Sequence, residues 1–338
     1  MWSDFQNSTC RQNYSYFATS NFLVTAYGVM SLINIPLSIL AFFIIHKRTP
    51  LAMWKMRPAL LFAQFCSTNL DICATLLVCP MAFFPSASAT TLGILTKLGV
   101  PFRWQAYWGQ VGIMLNGVAF VILYENRQSQ VTTITFKIKK QIHRVLYYLA
   151  LTICAFLSIL PFYLEETNQL ELRQFVLARI PCPSIEFYDP ATYVLLKGGE
   201  SAPFFSLTLM MAYIVFQSLF FAIQVIIHTV ITRNVNLSTA TKQLQRRFLG
   251  YTTLQIIIPM AALIVPTVYS LYADEMNYYN QSYNNFAILA FGSHGLLATA
   301  VTLIVYKPYR ETILSFFKKD NKIAMRPANI DLSSGTAH

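Results

Sequence analysis

Charge is scarce in this chain. Only 12% of its 338 residues are Asp, Glu, Lys or Arg, about half the share of an ordinary soluble domain. What charge there is sits in short loops between long uncharged runs, which excludes a water-facing surface over most of the length. The net charge is +11, yet no basic, aromatic-interleaved segment stands outside the apolar runs. Nucleic acid is therefore excluded as a partner. Metal-ligand spacing is lacking as well. His46, His143, His228, His294 and His338 are scattered over different segments, and no two share a ligating spacing on one helix. No metal, cofactor or enzymatic chemistry is expected. The stretch before Phe22 lacks the basic region and cleavage site of a removable signal peptide, so the first apolar helix is expected to be its own targeting signal. No lipidation motif is read at either end.

What is abundant is hydrophobicity, at 55% of residues. It is gathered into seven runs, 22–45, 59–83, 104–124, 145–164, 203–231, 248–272 and 286–306. These predict an all-α bundle of seven transmembrane helices over 22–306, with an extracellular segment 1–21 and a cytoplasmic tail 307–338. The third run sets the scale. Its uncharged residues between Arg103 and Glu125 make a helix of about 31 Å, the thickness of a bilayer's hydrocarbon. Of the 25 Lys and Arg residues, 19 fall in the first, third and fifth loops and the tail, and 6 on the other side. The positive-inside rule places the N-terminus outside and the C-terminus in the cytosol. The odd span count and the lack of an internal repeat argue against an inverted-repeat transporter. Glycosylation sequons at Asn7, Asn13 and Asn280 fall outside, and the one at Asn236 falls inside. In the tail, Tyr309, Ile313, Phe316 and Phe317 share one helical face, as in a short helix lying on the inner leaflet.

Polar residues inside the spans are candidate functional groups. Asp71 is the only acid within a span, and a carboxylate there is costly unless it is satisfied. Asn34, Asn116 and His294 lie at nearly the same depth on three other spans. One shared hydrogen-bond network is expected to join all four, either as an activation relay or as static glue. Pro259 and Pro266 remove backbone donors from span six and are candidate hinge positions. Trp104, Tyr107, Trp108, Tyr269 and Tyr272 crowd the outer helix ends. There they belong either to the interfacial belt or to an apolar pocket for a small-molecule ligand.

Span three ends in Glu125, Asn126 and Arg127, expected at the cytoplasmic surface, with Arg246 and Arg247 in the basic loop before span six. Two residues on a helix subtend about 200°, so Glu125 and Arg127 do not share a face. Arg127 is expected to reach neighbouring helix ends or a partner. Cys66, Cys73 and Cys154 lie within spans as buried apolar residues. Cys10 and Cys182 lie in oxidising extracellular segments and are the expected disulfide, with Cys79 as the alternative partner of Cys182. Spacing leaves the pairing open.

With these residues in view, the chain resembles the nematode chemoreceptors of serpentine receptor class H, within the wider seven-transmembrane Str-type superfamily. The resemblance covers nearly the whole chain. It is carried by Thr49-Pro50 with Met53, by Asp71, and by Glu125-Asn126-Arg127, which looks like a variant of the Asp-Arg-Tyr motif of rhodopsin-like receptors. Gln255 with Pro259 and Pro266, His294-Gly295 with Thr299, and Pro308-Tyr309-Arg310 complete it. It implies a GPCR-like fold and a heterotrimeric G protein as partner. It also implies an environmental or pheromone-like ligand and the plasma membrane of a chemosensory neuron, at its cilium. Span seven lacks Asn-Pro-x-x-Tyr, and span three has no cysteine at its outer end, so activation details of rhodopsin-like receptors do not carry over. Span seven also lacks an interior lysine for a retinal Schiff base. A ligand-gated channel or transporter subunit of the odorant-receptor type is the alternative, and insect-type odorant channels place the N-terminus inside. Oligomeric state is not legible.

Overall fold

The structure is a computed structural model that describes residues 15–131, 134, 136–164, 167–180, 182–195, 201–228 and 239–324. Six of its helices are long and apolar enough to cross a membrane, and a bent pair makes a seventh crossing.

Helix α1 (Ser20–Arg48) starts at Thr19, whose hydroxyl accepts from the Phe22 amide, and ends in His46, Lys47 and Arg48. That basic last turn suits the negative end of the helix dipole and lies on the cytosolic side. A 3-10 turn, Leu51–Met56, leads into α2 (Arg57–Ile72), which continues through a π turn, Cys73–Leu77. The second crossing therefore stops short of the expected boundary at 83. Cys79 takes a φ of 48°, and Pro80, with no amide to donate, opens a strand instead. The third helix, α3 (Phe102–Gln130), runs past the expected boundary at 124. Glu125 and Arg127 can lie inside the bundle because neighbouring helices supply their partners. Helix α4 (Gln141–Leu157) is followed by a short helix at Leu160–Leu164 and by an extracellular helix, α5 (Gln169–Arg179). Helices α6 (Ser201–Ile226) and α7 (Thr239–Glu275) are crossings five and six. Crossing seven is α8 (Gln281–Gly292) plus α9 (His294–Val305), bent by 40° at Ser293. Helix α10 (Lys307–Ala324) extends into the tail.

Helix α3 is the hub, touching α2, α4, α6 and α7, while α1 and α9 close the ring against α2. Helix α4 touches mainly α3 and turns Leu146, Leu149, Ile153 and Leu157 outward. An apolar stripe of that kind suits contact with lipid. The inner half of the core joins Ile44, Met53, Met56 and Leu60 to Val118, Leu123, Tyr306 and Tyr309.

The outer end is closed by a cap. Strands β1 (Pro80–Ala82), β2 (Ser88–Thr91) and β3 (Tyr193–Val194) form an antiparallel sheet in the order β1-β2-β3, with Pro80 opposite Thr91 and Ala89 opposite Tyr193. Beneath it Leu23, Tyr27, Phe83, Phe187 and Val194 form a second apolar cluster, joined by Leu172 and Val176 of α5. The Tyr27 hydroxyl donates to the Pro80 carbonyl at 2.8 Å.

Candidate functional site

The cytoplasmic end of α3 carries two buried charges. Glu125 is 0% exposed and Arg127 7%. The surface position expected for the triplet thus fails for two of its three residues, and only Asn126 reaches the rim. Glu125 turns toward α4. Its Oε2 accepts from Arg144 Nη2 at 2.9 Å, Arg144 Nε spans both oxygens at 3.1 Å, and the Tyr148 hydroxyl donates to Oε2. Arg127 turns the other way. Its Nε donates to Thr252 Oγ1 on α7 at 3.3 Å, and it is hydrogen-bonded to Tyr306 at the end of α9. The Tyr306 hydroxyl in turn donates to Gln255 Oε1 at 3.0 Å. The opposed faces read from the sequence are what keeps Glu125 and Arg127 apart.

The Tyr306 ring packs at a tilt against Tyr309, 5.5 Å between centroids, and the Tyr309 hydroxyl meets Thr49 Oγ1 at 2.8 Å. That bond ties α10 back to the end of α1. Burial pushes the Tyr309 phenol up to about 12, against the pull of its bond to Thr49. Tyr309 therefore stays neutral and able to donate.

At mid-depth, Asp71 is 1% exposed. Its Oδ2 accepts from Asn34 Nδ2 at 2.6 Å and its Oδ1 from the Gly295 amide at 2.7 Å, with a further backbone bond from Leu296. Asp71 thereby caps the first turn of α9, whose own N-cap residue, Ser293, supplies no side-chain bond. Free amides and the positive end of the helix dipole meet a carboxylate there. Gly295 is required for the approach. A Cβ at that position would stand 2.5 Å from the Asp71 carboxyl carbon and from the Ser67 carbonyl oxygen.

The four-member network breaks into parts. Asn34 and Asp71 are joined, and Ser38, Thr68, Gln64 and Thr299 extend the chain from Asn34 across α1, α2 and α9. Asn116 belongs to a separate cluster, bonded to Ser67 at 2.9 Å and to the carbonyls of Cys66 and Gly112. His294 is 0% exposed, faces the Phe120 ring, and neither ring nitrogen finds a hydrogen-bond partner among the described residues. Equal depth did not mean equal direction.

The candidate ligand aromatics also fall into two sets. Trp104, Tyr107 and Trp108 turn toward the span-four side, where the Tyr107 hydroxyl donates to the Phe156 carbonyl and Trp108 meets the Phe156 ring. Tyr269 and Tyr272 line a pocket of about 470 Å³ between α7 and α8, with Pro266, Tyr283 and Phe286. The Tyr269 hydroxyl donates to Asn284 at 2.7 Å. Helix α7 runs unbroken through Pro259 and Pro266, and the break between helices lies at Ser293 instead. Arg246 and Arg247 are exposed on the cytoplasmic end of α7.

Cys182 is disulfide-bonded. Cys79 is a free buried thiol whose Sγ donates to the Thr75 carbonyl, so it is not the partner. Cys10 lies outside the described residues, as do Asn7 and Asn13. Asn280 caps α8 with its Oδ1, while its Nδ2, the atom that would carry a glycan, donates to the Tyr278 hydroxyl at 3.3 Å.

Several working residues had not been singled out. Arg144, Tyr148, Thr252 and Tyr306 are the partners of Glu125 and Arg127, and no local pattern marks them. Gln281, Asn284 and Asn285 are a different case. All are nearly fully buried, and their side chains donate to the carbonyls of Ala82, Phe84 and Phe17, fastening α8 to the cap. Their i, i+3, i+4 spacing on one helical face was a readable signal.

A family model described as serpentine type 7TM GPCR chemoreceptor Srh matches residues 18–319. "Serpentine receptor class H-72" of Caenorhabditis elegans is 23% identical over 304 residues, covering 88% of this chain and 86% of that protein. Among solved structures, squid rhodopsin superposes with a TM-score of 0.52 at 9% identity, covering 94% of this chain and 90% of that one. At that identity the likeness speaks for the fold alone.

Proposed function

The chain belongs to the Srh family of serpentine seven-transmembrane chemoreceptors, and from that membership we propose that it binds a small apolar ligand and activates a heterotrimeric G protein. The carrying observation is the setting of Arg127. A permanent charge on the hub helix is held by hydroxyls from α7 and from the end of α9. Two states follow from breaking and remaking that contact.

The tyrosine-lined pocket supports the ligand half of the reading. It lies between α7 and α8, outside the closed cap, and is open on the flank of the bundle. Helix α7 carries Thr252 at its other end, and α8 leads through the bend at Ser293 into α9 and Tyr306. A ligand wedged at Tyr269 and Tyr272 bears on α7 directly, and on α9 only through α8 and the bend at Ser293. Pro259 lies between the pocket and Thr252, and its missing amide deprives the Gln255 carbonyl of its helical donor. That local loosening is where α7 yields. Asp71 and Asn34 steady the bend, and Arg246, Arg247 and Asn126 offer polar groups to the G protein at the opened face. The natural setting is the ciliary plasma membrane of a chemosensory neuron.

The test is expression in a reporter cell with a chimeric G protein and a panel of volatile and lipid-like compounds. A hit whose potency falls at least tenfold in Tyr269→Ala, at equal surface level, supports both halves. Currents evoked by a hit without any G protein would overturn the coupling half.

A further inference from the structure

The largest cavity among those described lies elsewhere. A groove of about 1280 Å³ runs between the cytoplasmic ends of α2, α3 and α4, roofed by the turn Leu51–Met56 and the loop before α4. Its rim carries Lys55, Lys137 and Lys139, and among the described residues no acid lines it. Arg144 also faces it but is already paired with Glu125. Lys55 and Lys139 are exposed, and Lys137 is half-buried with one bond to the Val131 carbonyl. Three lysines thus border one opening, and such a cluster of positive charge selects an anion.

The wall below is apolar. Phe62, Ile122, Val145 and Leu149 line it, and along α4 the lining runs from Gln141 to Thr152. At helical rise that is about 16 Å, from the headgroup level to roughly the middle of the bilayer. At the mouth Leu51 is 90% exposed and Trp54 52%, residues suited to the interface. A cytosolic peptide has no access to the lower part of this groove, and a free anion has no use for it. An amphiphile with an anionic head and an acyl tail matches both halves.

We propose that the groove between α2, α3 and α4 is a binding site for an anionic phospholipid of the inner leaflet, its phosphate held by Lys55, Lys137 and Lys139 and its acyl chain laid along Phe62 and Leu149. Asn126 lines the same groove and donates to the Lys55 carbonyl at 3.2 Å. The bound headgroup therefore bridges the first and second cytoplasmic loops across the end of α3. This site is independent of the ligand and coupling reading above.

The test uses the full chain purified into nanodiscs of neutral phospholipid doped with a bisphosphorylated phosphoinositide as probe, with bound probe counted by native mass spectrometry of the protein released from the disc. A K55Q/K137Q/K139Q variant is expected to bind the probe at least tenfold more weakly, each lysine contributing several-fold as a basic residue near an anionic surface does. Leu149→Trp, which fills the wall, is expected to weaken the lipid at least threefold while leaving a soluble inositol phosphate unaffected. K307Q/R310Q, which removes two tail cations outside the groove, is expected to bind as wild type. Unchanged binding in the triple variant, or an equal loss in the tail variant, overturns the site. Indifference to Leu149→Trp overturns the lipid and leaves a simple anion patch.

Discussion

Glu125 and Arg127 stand two residues apart on one helix, and the bundle satisfies them in opposite ways. Glu125 meets a full countercharge from α4 and a phenol beside it. Arg127 meets neutral hydroxyls, from α7 and from the end of α9. Removing one partner of a buried ion pair costs about 3–5 kcal/mol, whereas a hydrogen bond to a charged group is worth about 1.5–3 kcal/mol. One side of α3 is therefore anchored and the other is held by contacts weak enough to exchange. The anchored side faces α4, a helix with few other neighbours, and the exchangeable side faces α7, which lines the tyrosine pocket, and the end of α9, which continues α8 from that pocket past the bend. A rigid body hinged on its firm side opens on its soft one.

The largest expected effect is on the firm side. Glu125→Ala strands Arg144, which is 15% exposed and so keeps some access to water. A loss of about 3 kcal/mol is expected, the low end of the range for breaking such a pair. It is read as a fall in thermal midpoint in detergent and in surface level. If Glu125→Ala is as stable as wild type, α4 is not anchored here and the contrast collapses.

On the soft side, Arg127→Lys keeps the charge but loses Nε and the planar fork. Stability is expected to change by less than about 1 kcal/mol, while maximal signalling falls about tenfold, roughly 1.4 kcal/mol. Equal signalling at equal surface expression would reduce Arg127 to a topological anchor. Thr252→Val acts on the same contact from the other helix. Tyr306 still holds Arg127, so only about 1.5 kcal/mol is lost. Basal signalling is expected to rise, by no more than about tenfold, with the agonist response intact. A basal level that does not move would mean that Thr252 does not hold the closed state.

How far the sequence carried this picture can be judged at the same residues. The crossings and their orientation were legible because hydrocarbon thickness and Lys/Arg bias act along the chain. The opposed directions of Glu125 and Arg127 were legible from helical pitch alone. Their burial was not, since it depends on Arg144, Thr252 and Tyr306, which come from three other helices. Asp71 was found because a lone carboxylate in a span is conspicuous, yet its chief partner is a backbone amide, which has no signature in sequence. His294 was drawn into the network by depth, and its azimuth turned it to Phe120 instead. The cap was missed because its strands are of two to four residues, too short for any alternation to register.

Asp71 gives the comparison its intermediate case, a charge whose counterpart is neither an ion nor a hydroxyl but the first turn of a helix. In Asp71→Asn one oxygen remains to accept from the Gly295 amide, so the cap survives in neutral form. The new NH2 then faces Asn34 Nδ2, a donor against a donor. Relief requires the Asn34 amide to flip, which sets its Nδ2 against Ser38, reverses the direction of that bond and makes the chain toward Thr68, Gln64 and Thr299 reorient. The loss of charge against the helix dipole is worth about 1 kcal/mol, and an exchanged hydrogen bond about as much again in either direction. Agonist potency or basal signalling is therefore expected to move about fivefold, with expression preserved, because no volume is added or removed. The companion Asn34→Asp/Asp71→Asn exchange restores one carboxylate and one amide on the same pair but moves the charge off the α9 dipole. If the exchange recovers wild-type signalling, the hydrogen bond is what matters. If only Asp71 in its own place does so, the charge at the bend of span seven sets the balance between the two states.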